Sequence, residues 1–254
     1  MHEGKLYQLA GWLEQARYAV ALTGAGVSTE SGIPDFRSPE CGLWAMVDPI
    51  KVASIEGFLG DPVGFYEFWK WRFSKLNEAK PNITHSVLAQ LEARGRLKTV
   101  ITQNIDNLHR KAGSQQVFEV HGNYTQGLCI KCRKPYETEE LLRKVEERSV
   151  PHCDECHGLL KPNVVLFGEL LPPAFAESEL EIYQADLLLV LGSSLEVYPV
   201  AGLVPQAKYG KAKVALINRE ETPFDGLADL VIHSDLGSAM CRLSELLGLR
   251  MQAV

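Results

Sequence analysis

The sequence has no uninterrupted apolar run long enough to span a membrane, and its first residues, Met1–Lys5, lack the apolar stretch of a signal peptide. It also lacks an excess of positive charge, because 26 Lys and Arg residues are outnumbered by 32 Asp and Glu residues. Proteins that bind nucleic acids usually carry a basic stripe, which is absent here. We therefore expect a cytoplasmic protein with neither membrane nor nucleic-acid partners. Its net charge of −6 favours a cationic substrate such as a lysine-bearing peptide.

Cysteine is scarce, with six among 254 residues, but four of the six form two C-x2-C pairs separated by 20 residues. These four are Cys129, Cys132, Cys153 and Cys156. Two such turns can present four thiolates to one ion, which is the closed tetrahedral shell of structural zinc. Disulfides or two unrelated thiol pairs are the alternative, but cytosolic proteins rarely keep disulfides and a redox motif needs only one pair. The pattern predicts one structural Zn²⁺, with no open position for catalysis. The remaining cysteines are interpreted as ordinary small residues: Cys41 and Cys241.

Short apolar runs alternate with helical patterns along most of the chain. The strand-like runs are Ala19–Leu22, Thr99–Thr102, Val117–Val120, Val164–Phe167, Asp186–Leu191, Val214–Ile217 and Leu230–Ile232. The helical patterns are Lys5–Arg17, Thr84–Arg94, Pro173–Tyr183, Val200–Lys208 and Ser238–Leu247. Such alternation predicts an α/β fold with a doubly wound, mainly parallel, Rossmann-like sheet.

Two stretches interrupt this alternation. Residues 38–82 have no clear strand and are rich in aromatic side chains, which predicts a helical excursion over a ligand site. Residues 124–161 contain the four paired cysteines and a charged helix near Glu137–Arg148, which predicts a small inserted zinc-binding module. The Rossmann-like domain is then assembled from residues 1–37, 83–123 and 162–254.

The glycine turn after the first strand departs from the dehydrogenase pattern. Gly24 and Gly26 supply the first two glycines of G-x-G-x-x-G, which bring backbone N–H groups against a pyrophosphate, but Thr29 stands at the third position. No acidic residue ends a second strand about 20 residues later, where a dehydrogenase binds the adenosine ribose. A nicotinamide dehydrogenase is therefore disfavoured among enzymes. The acidic charge balance and the missing basic stripe disfavour a zinc-ribbon nucleic-acid module among binding proteins.

Seven stretches, taken in chain order, resemble the motifs of the sirtuin family. They are GAGVSTESGIPDFR at 24–37, TQNIDNLH at 102–109, HG at 121–122, the cysteine quartet, PNVVLFGE at 162–169, GSSLEVYP at 192–199 and INRE at 217–220. The resemblance covers about Ala19–Leu236, and the compact length is similar to that of bacterial and archaeal members. It implies an NAD-dependent protein-lysine deacetylase that transfers an acyl group to ADP-ribose and releases nicotinamide. The implied co-substrate is NAD, the metal is one structural Zn²⁺, and the partners are acyl-lysine proteins or peptides.

The resemblance also implies roles near the nicotinamide end. His121 is the general base that activates a ribose hydroxyl, a task that suits a side chain with a pKa near the operating pH. By itself, a lone histidine at a strand end is more often structural. Asn104 orders the nicotinamide-ribose hydroxyls and a water, Asp106 accepts from the carboxamide, and Gln103 faces the ribose. As plain structure, Asn104 and Asp106 would be helix caps.

The remaining NAD contacts implied by the resemblance lie on the glycine turn, the loop after it and several strand ends. They are Gly24, Ala25, Gly26, Thr29, Asp35, Phe36, Arg37, Ile105, Gly192, Ser193, Ser194, Asn218, Glu220 and Leu236. Of these, the serines are expected to meet phosphate, whereas Asn218 and Glu220 meet the adenosine ribose. Without a ligand, Asp35 and Arg37 would be a solvated loop pair.

Two segments are implied to bind the peptide, which pairs as an extended strand between them. The implied contacts are Val165, Phe167, Gly168, Glu196 and Val197; the alternative for the first segment is buried core. Sirtuins that prefer acidic acyl groups carry Tyr-x-x-Arg, and here Trp69 and Arg72 stand in that register, with Ala53 as the small residue upstream. The guanidinium would hold a carboxylate, and the indole would donate one hydrogen bond. The alternative is a surface Arg72 and a core Trp69. Acidic deacylation and mono-ADP-ribosyl transfer remain alternatives to deacetylation.

Overall fold

A parallel sheet of six strands forms the centre of the protein. The computed structural model describes residues 2–37 and 42–249, so Cys41 lies outside the described residues. The strands of this sheet are β1 Ala19–Thr23, β2 Thr99–Thr102, β3 Val117–Glu119, β7 Leu187–Leu191, β8 Lys213–Asn218 and β9 Leu230–His233. Every neighbouring pair in it is parallel. The predicted doubly wound α/β fold is confirmed.

Helices cover both faces of this sheet. On one face lie α1 Glu3–Gln15, α5 Ile83–Ala93 and α10 Leu236–Leu246, and on the other lie α8 Pro173–Gln184 and α9 Leu203–Tyr209. Alternate side chains of β7 enter the two cores, because successive residues of a strand point to opposite faces. All five residues of β7 are buried, which is why it is a continuous apolar run. None of the helices within residues 2–37 and 42–249 is long and apolar enough to cross a membrane.

The aromatic-rich stretch folds into three consecutive helices, α2 Pro49–Ala53, α3 Ile55–Gly60 and α4 Pro62–Glu78. Each begins at a side chain that accepts a hydrogen bond from the first helical turn: Asp48, Ser54 and Asp61. The short helix α6 Leu108–Lys111 follows β2. The predicted helical excursion is therefore present, and we refer to α2–α4 as the helical layer.

A second, antiparallel sheet carries the cysteine pairs. Its strands β4 Gly122–Cys129, β5 Pro135–Glu137 and β6 Leu160–Val164 have the order β5-β4-β6, and α7 Thr138–Arg148 packs against them. We refer to residues 122–164 as the cysteine module.

The strand predicted at Val164–Phe167 is wrong. The strand β6 ends at Val164 and belongs to the antiparallel sheet, whereas Val165 and Phe167 bond to two other segments. The Val165 N–H donates to the His121 carbonyl at 2.8 Å, and Phe167 pairs with the loop between α2 and α3. Because the backbone partners of Val165 and Phe167 lie on separate segments, these residues do not continue the strand.

Candidate active site

A cavity of about 520 Å³ opens at the carboxyl ends of the parallel strands, a volume within the range of small-molecule sites. From β1 the chain first adds β2 and β3 on one side and later adds β7, β8 and β9 on the other. The cavity therefore lies where the strand order reverses, which is where doubly wound sheets bind ligands.

All predicted site residues outside the metal site line this one cavity. They are Gly24, Ala25, Gly26, Thr29, Asp35, Phe36, Arg37, Ala53, Trp69, Arg72, Gln103, Asn104, Ile105, Asp106, His121, Val165, Phe167, Gly168, Gly192, Ser193, Ser194, Glu196, Val197, Asn218, Glu220 and Leu236.

The glycine turn is packed directly against the end of β7. The Gly24 N–H donates to Leu191, and the Gly26 N–H donates to the Gly192 carbonyl at 2.9 Å. A Cβ added at Gly24 would lie 2.7 Å from the Gly192 carbonyl oxygen, which is too close for any side chain. Glycine is thus required for the backbone to approach β7, and the turn lines the cavity beside that contact.

His121 lies between β3 and β4, two residues after Glu119, and lines the cavity. Its Nδ1 atom lies 3.1 Å from the Gln103 carbonyl oxygen, which can only accept a hydrogen bond. The neutral ring therefore carries its proton on Nδ1 and leaves Nε2 as the basic atom. Burial lowers the pKa of His121 below the ordinary 6.5, while the Gln103 carbonyl acts in the opposite direction. The ring is consequently neutral at pH 7.

A buried network connects the glycine turn to the end of β2. The Ser28 hydroxyl donates to Asp106 Oδ2 at 2.6 Å, and Asn104 Nδ2 donates to both the Gly24 carbonyl and Ser28 Oγ. Asp106 Oδ1 also accepts from the N–H of Leu108 at the start of α6. The capping alternative therefore holds for one oxygen of Asp106 but not for the Asn104 side chain. Sequence reasoning missed Ser28, whose partner is 78 residues away.

Strand-end side chains also bond across the sheet edge. Gln103 Nε2 donates to Ser193 Oγ at 2.9 Å, which connects β2 to β7. Asn218 Nδ2 donates to the Glu220 carbonyl at 2.8 Å, which shapes the turn after β8. These bonds hold the polar groups in place before any ligand arrives.

Arg37 and Glu196 join two of the predicted binding segments. The Arg37 Nε atom lies 2.8 Å from Glu196 Oε2, and both side chains are partly exposed. The alternative of a solvated Asp35–Arg37 loop pair misses this ion pair, because Glu196 is 159 residues away. Asp35 Oδ1 does accept from the Arg37 N–H at 3.0 Å.

The helical layer contributes Trp69 and Arg72. The surface alternative for Arg72 is wrong, since it is only 4% exposed; Trp69 is buried in the core. The Arg72 guanidinium lies over the Phe36 ring, 5.3 Å from its centroid, and burial lowers its pKa to about 10, so it is cationic at pH 7. The indole N–H donates to the Val52 carbonyl at 3.0 Å. The donor expected for an acyl group is therefore already engaged.

The four paired cysteines converge in the cysteine module. Their sulfurs all lie within 4.8 Å of one another, with 3.4 Å between Cys129 and Cys156 and 3.6 Å between Cys132 and Cys153. A tetrahedral zinc ion with bonds of about 2.3 Å separates its sulfurs by roughly 3.8 Å, so the arrangement fits Zn²⁺. The Tyr136 hydroxyl donates to Cys153 Sγ at 3.2 Å, which stabilises a thiolate. No other cluster of potential metal ligands occurs within the described ranges.

Comparisons with known proteins agree with this geometry. The Sir2 family model matches residues 24–199. An NAD-dependent protein deacetylase of Caldivirga maquilingensis is 50% identical over 230 residues, which cover 90% of this chain and 88% of that protein. A solved Sir2–p53 peptide–NAD⁺ complex has a TM-score of 0.89 at 42% identity and covers 95% of this chain and 98% of that one. A Sir2 complex with deacetylated p53 peptide and 3′-O-acetyl ADP-ribose has a TM-score of 0.92 at 41% identity, with coverages of 96% and 99%.

Proposed function

The chain belongs to the Sir2 family, and we propose on that premise that it is an NAD-dependent protein-lysine deacetylase in which His121 is the general base. The enzyme transfers the acetyl group of a lysine to ADP-ribose and releases nicotinamide. The observation that carries the assignment is the single cavity that joins the glycine turn, the neutral His121 ring and two peptide-facing segments.

NAD, when bound, supplies a ribosyl carbon from which nicotinamide departs and to which the acetyl-lysine carbonyl oxygen adds. Ser193 receives the pyrophosphate beside the glycine turn, because its hydroxyl can donate to a phosphate oxygen, whereas the Gly24 and Gly26 N–H groups already donate to Leu191 and Gly192. Asn218 and Glu220 hold the adenosine ribose at the end of β8. These assignments follow the positions of the residues around the cavity.

His121 removes a proton from a ribose hydroxyl through Nε2. The Gln103 carbonyl fixes the Nδ1–H tautomer, and burial keeps the ring neutral and ready to accept that proton. Asn104 is held by its two Nδ2 bonds, so its Oδ1 atom remains for a ribose hydroxyl or a water. Asp106 is fixed by Ser28 and by the first turn of α6, which places its carboxylate for the carboxamide.

Two edges of unpaired backbone face the proposed peptide position. Among the residues that the structure describes, the Val165 carbonyl and the Gly168 N–H have no hydrogen-bond partner, and neither do the Glu196 carbonyl and the Val197 N–H. All four residues line the cavity. An extended acetyl-lysine peptide that adds as a strand between these edges satisfies them through its main chain, with little demand on its side chains.

The test is His121→Ala with an acetyl-lysine peptide and NAD, followed by mass spectrometry of nicotinamide and acetyl-ADP-ribose. We expect turnover to fall about 100- to 10,000-fold, the usual contribution of a general base, while NAD affinity and the melting temperature stay near wild type. His152→Ala is the matched control, because the His152 ring has the same kind of carbonyl partner but is exposed and outside the cavity. Near-normal turnover by His121→Ala would contradict the assignment.

Acidic deacylation and mono-ADP-ribosyl transfer are less well supported than deacetylation. The curated relative named above is an NAD-dependent protein deacetylase, and the engaged indole of Trp69 removes one of the two donors that an acidic acyl group was expected to use. Mono-ADP-ribosyl transfer requires a protein acceptor in place of the acyl oxygen. The same mass spectrometry detects it as an ADP-ribosylated protein without acetyl-ADP-ribose.

A further inference from the structure

Lys161, on β6, is a buried cation outside the cavity. Its side chain is 4% exposed, and Nζ lies 3.1 Å from the Pro162 carbonyl, 2.6 Å from the Val164 carbonyl and 2.9 Å from Glu169 Oε2. An ammonium group has three N–H donors, so this set uses all of them. Lys161 does not line the cavity, and the mechanism above gives it no task.

Glu169 connects the Lys161 ammonium group to the loop that precedes Glu169. Its Oε2 atom accepts both from Lys161 and from the Leu166 N–H, the latter at 2.9 Å. The Glu169 N–H in turn donates to the Leu166 carbonyl at 3.0 Å. Residues 164–169 are therefore folded around one ion pair, with a positive φ of +90° at Gly168 closing the turn.

Other bonds of this loop reach two more parts of the protein. The Val165 N–H donates to the His121 carbonyl, the Phe167 N–H donates to Ala53, and the Ile55 N–H donates to the Phe167 carbonyl. Among the described residues, the unpaired backbone groups of this loop include the Val165 carbonyl and the Gly168 N–H, which stand on either side of the part fixed by Glu169.

We propose that Lys161 and Glu169 are positioning residues for the peptide substrate, because their ion pair fixes the loop whose free backbone groups receive the acetyl-lysine peptide. This inference rests on the proposed deacetylase function. Lys161 acts on the substrate only through the loop. Removing the charge of Glu169 leaves the buried Lys161 ammonium group without its counter-ion, so the loop must rearrange to hydrate it. Removing Lys161 frees the partly exposed Glu169 carboxylate, which then no longer fixes the loop.

The test compares Lys161→Met and Glu169→Gln with wild type in steady-state assays against an acetyl-lysine peptide and against NAD. Loss of a charge-assisted hydrogen bond predicts a peptide KM about 10- to 100-fold higher. The KM for NAD should stay within about twofold, since none of the residues assigned to NAD lies in residues 164–169. The double variant should be no worse than the worse single variant, because both act through one pair.

Lys134→Met is the matched control, since it breaks the Lys134–Glu155 ion pair in the same module, where Lys134 is partly exposed and Glu155 is exposed. Its peptide KM should not change. Hydrogen–deuterium exchange of residues 164–170 in the free protein is a second readout, and we expect faster exchange in Glu169→Gln. If Lys161→Met fails to fold, Glu169→Gln and its exchange rates still test the proposal.

The outcomes distinguish a failure of the deacetylase function from a failure of the positioning role alone. A wild-type protein that does not bind an acetylated peptide contradicts the deacetylase function itself. A wild-type protein that binds it, with folded variants whose peptide KM is within about twofold of wild type, overturns only the positioning role. An equal rise in both Michaelis constants also overturns it, because that pattern indicates general damage to the fold.

Discussion

The parallel sheet and the cysteine module are stabilised differently. In the parallel sheet, every residue of β1, β2 and β7 is buried, and helices supply two separate apolar cores. In the cysteine module, two of the three residues of β5 are exposed. Burial is therefore complete on β1, β2 and β7, whereas β4 buries only three of its eight residues and β5 one of three, although β6 buries four of five.

The cysteine module has two further sources of stability, a core shared with the helical layer and a metal site. Its buried residues Tyr136, Leu141 and Leu160 belong to the same apolar core as the aromatic side chains of α4, and the Tyr66 hydroxyl donates to the Leu160 carbonyl at 2.7 Å. Four thiolates then surround a metal position. A region with little core of its own depends on a metal and on a neighbouring layer, as small folds usually do.

Breaking the metal site should have the largest effect. Cys153→Ser is expected to remove bound zinc and unfold the cysteine module, because structural zinc contributes about 10–16 kcal/mol in small zinc-binding peptides. Metal analysis and thermal melting measure both effects together. Cys241→Ser is the control, since Cys241 is exposed and is not part of the cysteine cluster. Full zinc content and an unchanged melting temperature in Cys153→Ser would mean that the module supports itself.

Paired core truncations sharpen the comparison. Leu189→Ala, in the middle of β7, should lower the free energy of unfolding by about 2–5 kcal/mol and leave zinc affinity unchanged. Leu141→Ala, equally buried on α7, should lower zinc affinity as well, because folding of the module and metal binding are one process. Urea unfolding and zinc competition titrations measure the two quantities. Equal zinc affinities in the two variants would mean that the parallel sheet and the cysteine module do not differ in their coupling to the metal.

Acid should weaken the parallel-sheet region through His85 and His109. Their buried rings lie 4.8 Å apart, and burial lowers the pKa of each to about 3. Between pH 6.5 and 3 the unfolded chain binds protons that the folded chain cannot, so the free energy of unfolding falls as pH falls. The slope is at most about 1.4 kcal/mol per pH unit for each histidine. Urea unfolding between pH 7.5 and 5.5 measures it, and His85→Gln should flatten the curve; an unaltered slope would contradict the prediction.

The sequence predicts the parallel sheet well because a strand buried on both faces is apolar throughout. Thr99–Thr102 matches β2 residue for residue, and the other predicted strands of this sheet end within two residues of the observed ones. Val164–Phe167 was wrong because its partners, including Ala53 and His121, are distant in sequence. The predicted helix Val200–Lys208 begins instead with a 3₁₀ turn, Val200–Gly202, before α9.

The site shows the same division between local and distant information. Motifs are local, so they identified residues that the fold brings to one cavity. Hydrogen-bond partners are not local, so the link from Ser28 to Asp106 and the ion pair of Lys161 with Glu169 required the structure. The Trp69 indole was expected to face an acyl group, but its acceptor on α2 is visible only after folding.

The pairing of Phe167 with the loop between α2 and α3 makes the position of its main chain independent of the side chain. Its N–H and carbonyl are both engaged by that loop, whereas its side chain is 43% exposed. The main chain at this position is therefore fixed independently of the residue type it carries. A substitution at 167 therefore changes a side chain on the wall of the cavity while the main-chain bonds to Ala53 and Ile55 can persist.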